Sequence, residues 1–250
     1  MKSFSTFASR LLAALSPMIP AIAGEARAAS YDPLAVDPAF HASHVDLTVH
    51  DAARGRDLPL RVYLPTNTAP APVILFSHGL GGSRAGSIFL GEHWAARGYV
   101  AVFLQHPGSD DSVWKDEPRP QRMQAMNQAA SLENFLLRVK DVPAVLNQLE
   151  AWNADKTNRL AGRFDMKKVG MSGHSFGAVT TEAVSGETSP VGGQKFTDPR
   201  IRAAIAFSPS SPKLGSAANA FGSVKIPWLL MTGTRDVAPS QRLQRPPAGR

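Results

Sequence analysis

A serine between glycines, Gly173-His174-Ser175-Phe176-Gly177, sits between a short predicted strand, Lys168 to Met171, and a helical stretch reaching about Ser185. A chain that passes from strand to helix within so few residues has no room for side chains at the corner, and glycine on both sides supplies that room. Strands joined in this way to helices build layered structures in which a parallel sheet is covered on both faces. The rest of the chain repeats the theme. Val73 to Phe76 and Tyr99 to Leu104 are continuous apolar runs, as strands buried on both faces require. Ile201 to Phe207 and Ile226 to Thr232 supply two more strands.

Helical patterns alternate with these runs. Ser87 to Arg97 reads as a helix stopped by Gly98. A longer one carries Leu132, Phe135, Leu136, Val139, Val142, Val145, Leu146, Leu149 and Trp152 at three- and four-residue spacing. Pro143 is expected to kink or restart it near Asp141. Val45 to His50 and Leu58 to Leu64 alternate apolar and polar side chains around Arg54-Gly55-Arg56, a hairpin signal. The polar, proline-bearing segment 107–128 reads as a loop over the site. The predicted fold class is α/β, a mostly parallel central sheet with helices on both faces and an antiparallel start.

Ser175 is the candidate nucleophile. A hydroxyl becomes nucleophilic when it is exposed, held in place and served by a base, and a helix N-terminus behind it favours developing negative charge. The competing reading is a glycine turn whose serine merely caps the helix. Phe76-Ser77-His78-Gly79-Leu80-Gly81-Gly82 follows the first buried strand. Acyl transfer needs two preorganised N–H donors at the oxyanion, and the expected pair is Leu80 in this turn and Phe176 after the nucleophile. Asp236, just past the last predicted strand, is the candidate acid that would orient a histidine.

These motifs resemble the α/β-hydrolase superfamily. Within it, Phe-Ser-His-Gly-Leu-Gly at 76–81 and Gly-His-Ser-Phe-Gly at 173–177 are similar to the platelet-activating-factor acetylhydrolase group and its dienelactone-hydrolase-like bacterial relatives. Asp-Val-Ala-Pro at 236–239 is similar to the acid loop of bacterial polyester hydrolases. The resemblance covers roughly residues 45–239. It implies an acyl–Ser175 intermediate, Leu80 and Phe176 as oxyanion donors, and hydrolysis of short-chain acyl esters, phospholipid or polyester-like esters included, with no metal and no cofactor.

The superfamily's order is nucleophile, acid, histidine. The histidines here stand at 41, 44, 50, 78, 93, 106 and 174, and none follows Asp236. The last strand, histidine loop and terminal helix of the resembled fold have no counterpart, so impaired activity is expected. His106, at the end of a strand, is the candidate substitute base, or else it lines the acyl pocket or the surface. His78 reads as a structural hydrogen-bonding residue. The alternatives are a non-catalytic ligand-binding protein and a truncated or frame-shifted hydrolase. An unpaired final strand would also invite self-association.

Composition narrows the rest. The chain has 250 residues, 43% apolar and 19% charged, enough for one core. With no cysteine, thiolate metal sites and a cysteine nucleophile are excluded. Lys and Arg exceed Asp and Glu by 27 to 20, partly in the two ends, which is weak ground for a specific nucleic-acid partner. Residues 1–28 read as a signal peptide, with Lys2 and Arg10, the apolar stretch Leu11 to Ala23 and Ala26-Arg27-Ala28, so a periplasmic or secreted location is expected. Residues 29–239 read as the hydrolase domain and 240–250 as a disordered basic tail. No apolar run is long enough to span a membrane. His41 and His44, like the acidic pairs Asp110-Asp111 and Asp116-Glu117, read as solvated rather than metal-binding.

Overall fold

The computed structural model describes residues 32, 35–36, 40, 43–189, 192–210, 215–234 and 236. The chain divides into units 1–35 and 36–250, and the sheet lies in the second. The predicted signal peptide and basic tail fall outside the described residues.

β1 (Ser43–Asp51) and β2 (Arg56–Leu64) form the expected antiparallel hairpin. β3 (Ala71–Ser77), β4 (Val100–Leu104), β5 (Phe164–His174), β6 (Ile201–Phe207) and β7 (Trp228–Met231) are mutually parallel where they pair. The seven strands run in the order β1-β2-β4-β3-β5-β6-β7. All parallel strands therefore deliver their C-terminal ends to one edge of the sheet, where ligand crevices of open α/β sheets form.

Alternation along the strands sorts the core into two layers. Val73, Leu75, Val100, Val102 and Leu104 face α3 (Leu132–Ala154), which contributes Val139, Val142, Val145, Leu146 and Leu149, all essentially buried. Phe76, Ala101 and Phe103 face the other way and pack with Tyr63 and with Trp94 of α1 (Ile88–Ala96). α4 (Phe176–Ser185) covers the α3 side through Ala183 and Val184, and α5 (Ala217–Phe221) is short.

Two expectations need correction. α3 does not restart at Pro143 but runs through it as one helix, because buried side chains on both sides of the proline keep one face on the sheet. The segment 107–128 is not simply a loop: it holds a 3-10 turn at Asp111–Val113 and α2 (Arg122–Ala129). Its apolar anchors, Met126 and Ala129, are too few to give a helical period. Among the described residues no helix is long and apolar enough to cross a membrane. Among the described residues β7 pairs with β6 alone, and Leu229, Leu230 and Met231 are each about half exposed.

Candidate active site

Ser175 is the entire connection between β5 and α4. Its backbone sits at φ 54 and ψ −113, a left-handed conformation that costs a non-glycine residue on the order of 1–3 kcal/mol. Neighbours hold it there. The Ser175 N–H donates to the Phe207 carbonyl on β6 (2.9 Å), and its carbonyl accepts from Ala178 and Val179 at 2.9 and 3.2 Å. A Cβ at Gly173 would collide with the Gly177 carbonyl, and one at Gly177 with the carbonyls of Ser77 and His78. Both glycines are therefore steric requirements of the corner. The Ser175 side chain is exposed and makes no capping hydrogen bond, which removes the helix-cap reading.

The second element is the turn after β3. A Cβ placed on Gly79 would lie 3.6 Å from the Ser175 Cβ and 3.2 Å from His174 Nδ1, so this turn and the elbow are in contact. The turn closes through Gly82 N–H to the Gly79 carbonyl (3.0 Å). It is pinned by Gly81 N–H to Ser109 O (2.9 Å) and by Trp114 Nε1–H to Gly81 O (2.7 Å). The Gly79 carbonyl also accepts from His78 Nδ1 at 2.6 Å. A trans peptide points its N–H opposite to its carbonyl, so the Leu80 N–H is turned away from the His78 ring. Among the described residues neither the Leu80 nor the Phe176 N–H has a hydrogen-bond partner. Two uncommitted amides thus belong to the two segments that meet at the exposed serine.

Neither a family model nor a curated protein matches the chain. Solved structures do. A protein of Klebsiella pneumoniae subsp. pneumoniae named as a dienelactone hydrolase superposes with a TM-score of 0.58 at 15% identity, over 82% of this chain and 78% of that one. The ferulic acid esterase of Streptomyces cinnamoneus gives 0.51 at 20% identity, over 83% and 70%. A protein of Bacteroides ovatus named as a dipeptidyl aminopeptidase IV gives 0.55 at 18% identity; there this chain spans 30% of the larger one. The fold is that of the α/β-hydrolases.

In an α/β-hydrolase the acid and base gather at the same edge as the nucleophile. Asp236 lies there, exposed, its Oδ2 accepting from Thr232 Oγ1 at 3.3 Å. The Ser208 hydroxyl, then Thr232, the Gly233 backbone and the charge of His174 hold its carboxyl below the usual range. No described histidine is hydrogen-bonded to Ser175 or Asp236. His174 is exposed beside the serine, His50 pairs with Asp57, and His44 lies against the Tyr63 ring. His41 falls outside the described residues. Among the described residues no group of three metal-binding side chains occurs.

His106 is placed differently from either expectation. It is wholly buried rather than at the surface or in a pocket, and both ring nitrogens are engaged. Asp141 Oδ2 lies 2.9 Å from Nδ1, and Ser77 Oγ lies 2.9 Å from Nε2. Asp141 can only accept, so Nδ1 carries the proton and Nε2 accepts from the Ser77 hydroxyl. Burial, then the nearby Arg138 charge, lowers the imidazole to about 4, so it is neutral near pH 7. His78 is set as firmly. The His106 backbone N–H donates to its Nε2 (3.1 Å), which leaves Nδ1–H to donate to Gly79. Burial and Arg138 push His78 well below its ordinary value. This structural part matches the sequence reading of His78.

The buried residues Arg138 and Asp141 complete this network and were not singled out in the sequence. They interrupt the apolar stripe of α3 between Phe135 and Val142. A charged pair three residues apart on a core-facing stripe is the signal that could have found them, since such groups are buried only when paired.

Proposed function

We propose that this chain is a serine ester hydrolase of the acetylhydrolase or carboxylesterase type, acting on short-chain acyl esters. The reading is carried by one observation: an exposed, uncapped Ser175 hydroxyl on a strained corner, in contact with a turn that offers a second free amide. The names of the solved structures it superposes on, an esterase and a dienelactone hydrolase among them, support ester chemistry. The sequence motifs at 76–81 and 173–177 support the acetylhydrolase type, with phospholipid or polyester-like esters as the wider substrate class.

Chemically, the Ser175 oxygen bonds to the acyl carbon as the carbonyl π electrons move onto oxygen, where the Leu80 and Phe176 amides would stabilise them. Collapse expels the alkoxide, which takes up a proton. Water then repeats the attack on the acyl–serine, releasing the acid and restoring the hydroxyl. Asp236 is the acid of this reading. The serine proton needs a base that the described residues do not place beside it. The rival reading, a hydrolase-fold protein that binds ligand without turnover, is favoured by that observation alone. Labelling with a fluorophosphonate followed by peptide mass analysis separates the two: attachment at Ser175, absent in Ser175→Ala, supports the hydrolase, and tight ligand binding with no attachment supports the rival.

Export to the periplasm or medium is part of the same proposal, supported by the basic-then-apolar start and Ala26-Arg27-Ala28; fractionation of expressing cells reads it. So is self-association along the outer edge of β7, supported by the half-exposed Leu229, Leu230 and Met231; sedimentation velocity at rising concentration reads it.

A further inference from the structure

Arg138 is fully buried, and its guanidinium reaches three separate parts of the proposed site. Nη1 donates to the His78 carbonyl at 2.8 Å and to Ser77 Oγ at 3.3 Å. Nε donates to Ser109 Oγ at 2.8 Å, and Nη2 lies 3.2 Å from His78 Nδ1, 3.3 Å from the Ser109 carbonyl and a long 3.5 Å from the Gly79 carbonyl. Its central carbon stands 4.4 Å from the centre of the Phe176 ring. Ser109 in turn holds Gly81 through its carbonyl. One planar cation thus contacts the turn that carries the Leu80 amide, the loop that pins that turn, and the side chain of the residue that carries the other amide.

Resting on the esterase reading above, we infer that Arg138 is a positioning residue for the oxyanion hole. It fixes the carbonyls of His78 and Gly79 on the interior side and thereby turns the Leu80 N–H outward, while its face locates Phe176. Five donors in a rigid fork suit this task, and a lysine has one point charge and no plane to lay on the ring. His106 lies one hydrogen bond further out, through Ser77, and Asp141 lies beyond it. Asp141 offsets the buried charge, and His106 keeps Ser77 oriented as an acceptor for Arg138. At about 9, lowered by burial, Arg138 is still cationic at neutral pH.

The test is the rate at which a fluorophosphonate modifies Ser175, since its phosphoryl oxygen occupies the oxyanion position. Saturation curves give the maximal rate and the half-saturating concentration separately for the wild-type chain, Arg138→Lys and Arg138→Met, with thermal melts run alongside. The expected result is a maximal rate about 100-fold lower in Arg138→Met, the loss typical of one misplaced oxyanion donor. Half-saturation should be nearly unchanged, and Arg138→Lys should fall between. A merely structural role would lower the melting temperature and leave the maximal rate of the folded protein alone; that outcome overturns the inference. If Arg138→Met does not fold, Arg138→Lys decides: a wild-type rate from a folded lysine variant is equally contrary. Failure of the wild-type chain to label at Ser175 overturns the esterase reading and the inference together, whereas unchanged rates in labelled variants overturn the inference alone.

Discussion

Turnover of 4-nitrophenyl acetate by the 250-residue chain is expected to lie on the order of a million-fold below that of a serine hydrolase with a complete triad, the loss seen when such a histidine is removed. The reason is geometric. A serine proton must move as the bond to carbon forms, and the acceptor must be within hydrogen-bond reach. Among the described histidines His78 and His106 have both ring nitrogens occupied in the interior, and none is bonded to Ser175. His106 is thereby unsuited to the substitute role the sequence suggested. The measurement is initial velocity with Ser175→Ala as the blank. Velocity near that of a complete enzyme, abolished in Ser175→Ala, would show that a base exists. His174, exposed beside the nucleophile, would then be the residue to replace.

The Asp141→Ala variant should lose about 4 kcal/mol of stability, the cost typical of leaving a buried charge unpaired. Asp141 is fully buried and its carboxylate accepts four bonds: His106 Nδ1 at 2.9 Å, Arg54 Nη1 at 2.8 Å, and Arg56 Nε and Nη2 at 3.0 and 3.2 Å. Burial alone would raise its pKa, but the His106 and Arg56 bonds win and hold it below the ordinary value. Truncation strands those donors and leaves Arg138 with Asp110 as its remaining counter-charge. Urea unfolding reads the loss, and a change under 1 kcal/mol would contradict it. The same cluster makes the native chain acid-sensitive. His106 is neutral when folded, with a pKa of about 4, and takes up a proton at its ordinary 6.5 once unfolded. Between these values His106 binds more protons in the unfolded state, so its contribution to stability falls by about 3 kcal/mol as pH drops through that window; His78 acts in the same direction and the buried Glu182, raised to about 8, opposes it. Asp141, with its folded value depressed, acts in the same direction at still lower pH. In Asp141→Ala with His106→Leu, the contribution of these two groups should vanish, read as the difference between the pH–stability curves of wild type and variant.

Much of the fold was legible because its signals are local. The apolar runs at 73–76 and 99–104 became the buried strands β3 and β4, the alternating stretches around Gly55 became the β1–β2 hairpin, and Gly173 and Gly177 marked the corner that admits no Cβ. The nucleophile and turn candidates were legible for the same reason, since strand, glycine and serine adjoin in sequence. The cluster of Ser77, His78, His106, Arg138 and Asp141 was not, because its members come from the end of β3 and the turn after it, the loop after β4 and α3, and meet only when the sheet forms. Each looked ordinary alone: a strand-end serine, two histidines, and two charges on a helix. α2 was missed because Met126 and Ala129 answer to the Gly81 turn and the neighbouring loop rather than to a continuous apolar face.

The most direct measurement is a crystal structure of the chain after fluorophosphonate treatment. The expected density is a phosphonyl group on Ser175 Oγ whose free oxygen lies within about 2.7–3.1 Å of both the Leu80 and Phe176 amide nitrogens. An adduct whose oxygen faces solvent with those two amides bonded elsewhere would contradict the hydrolase reading.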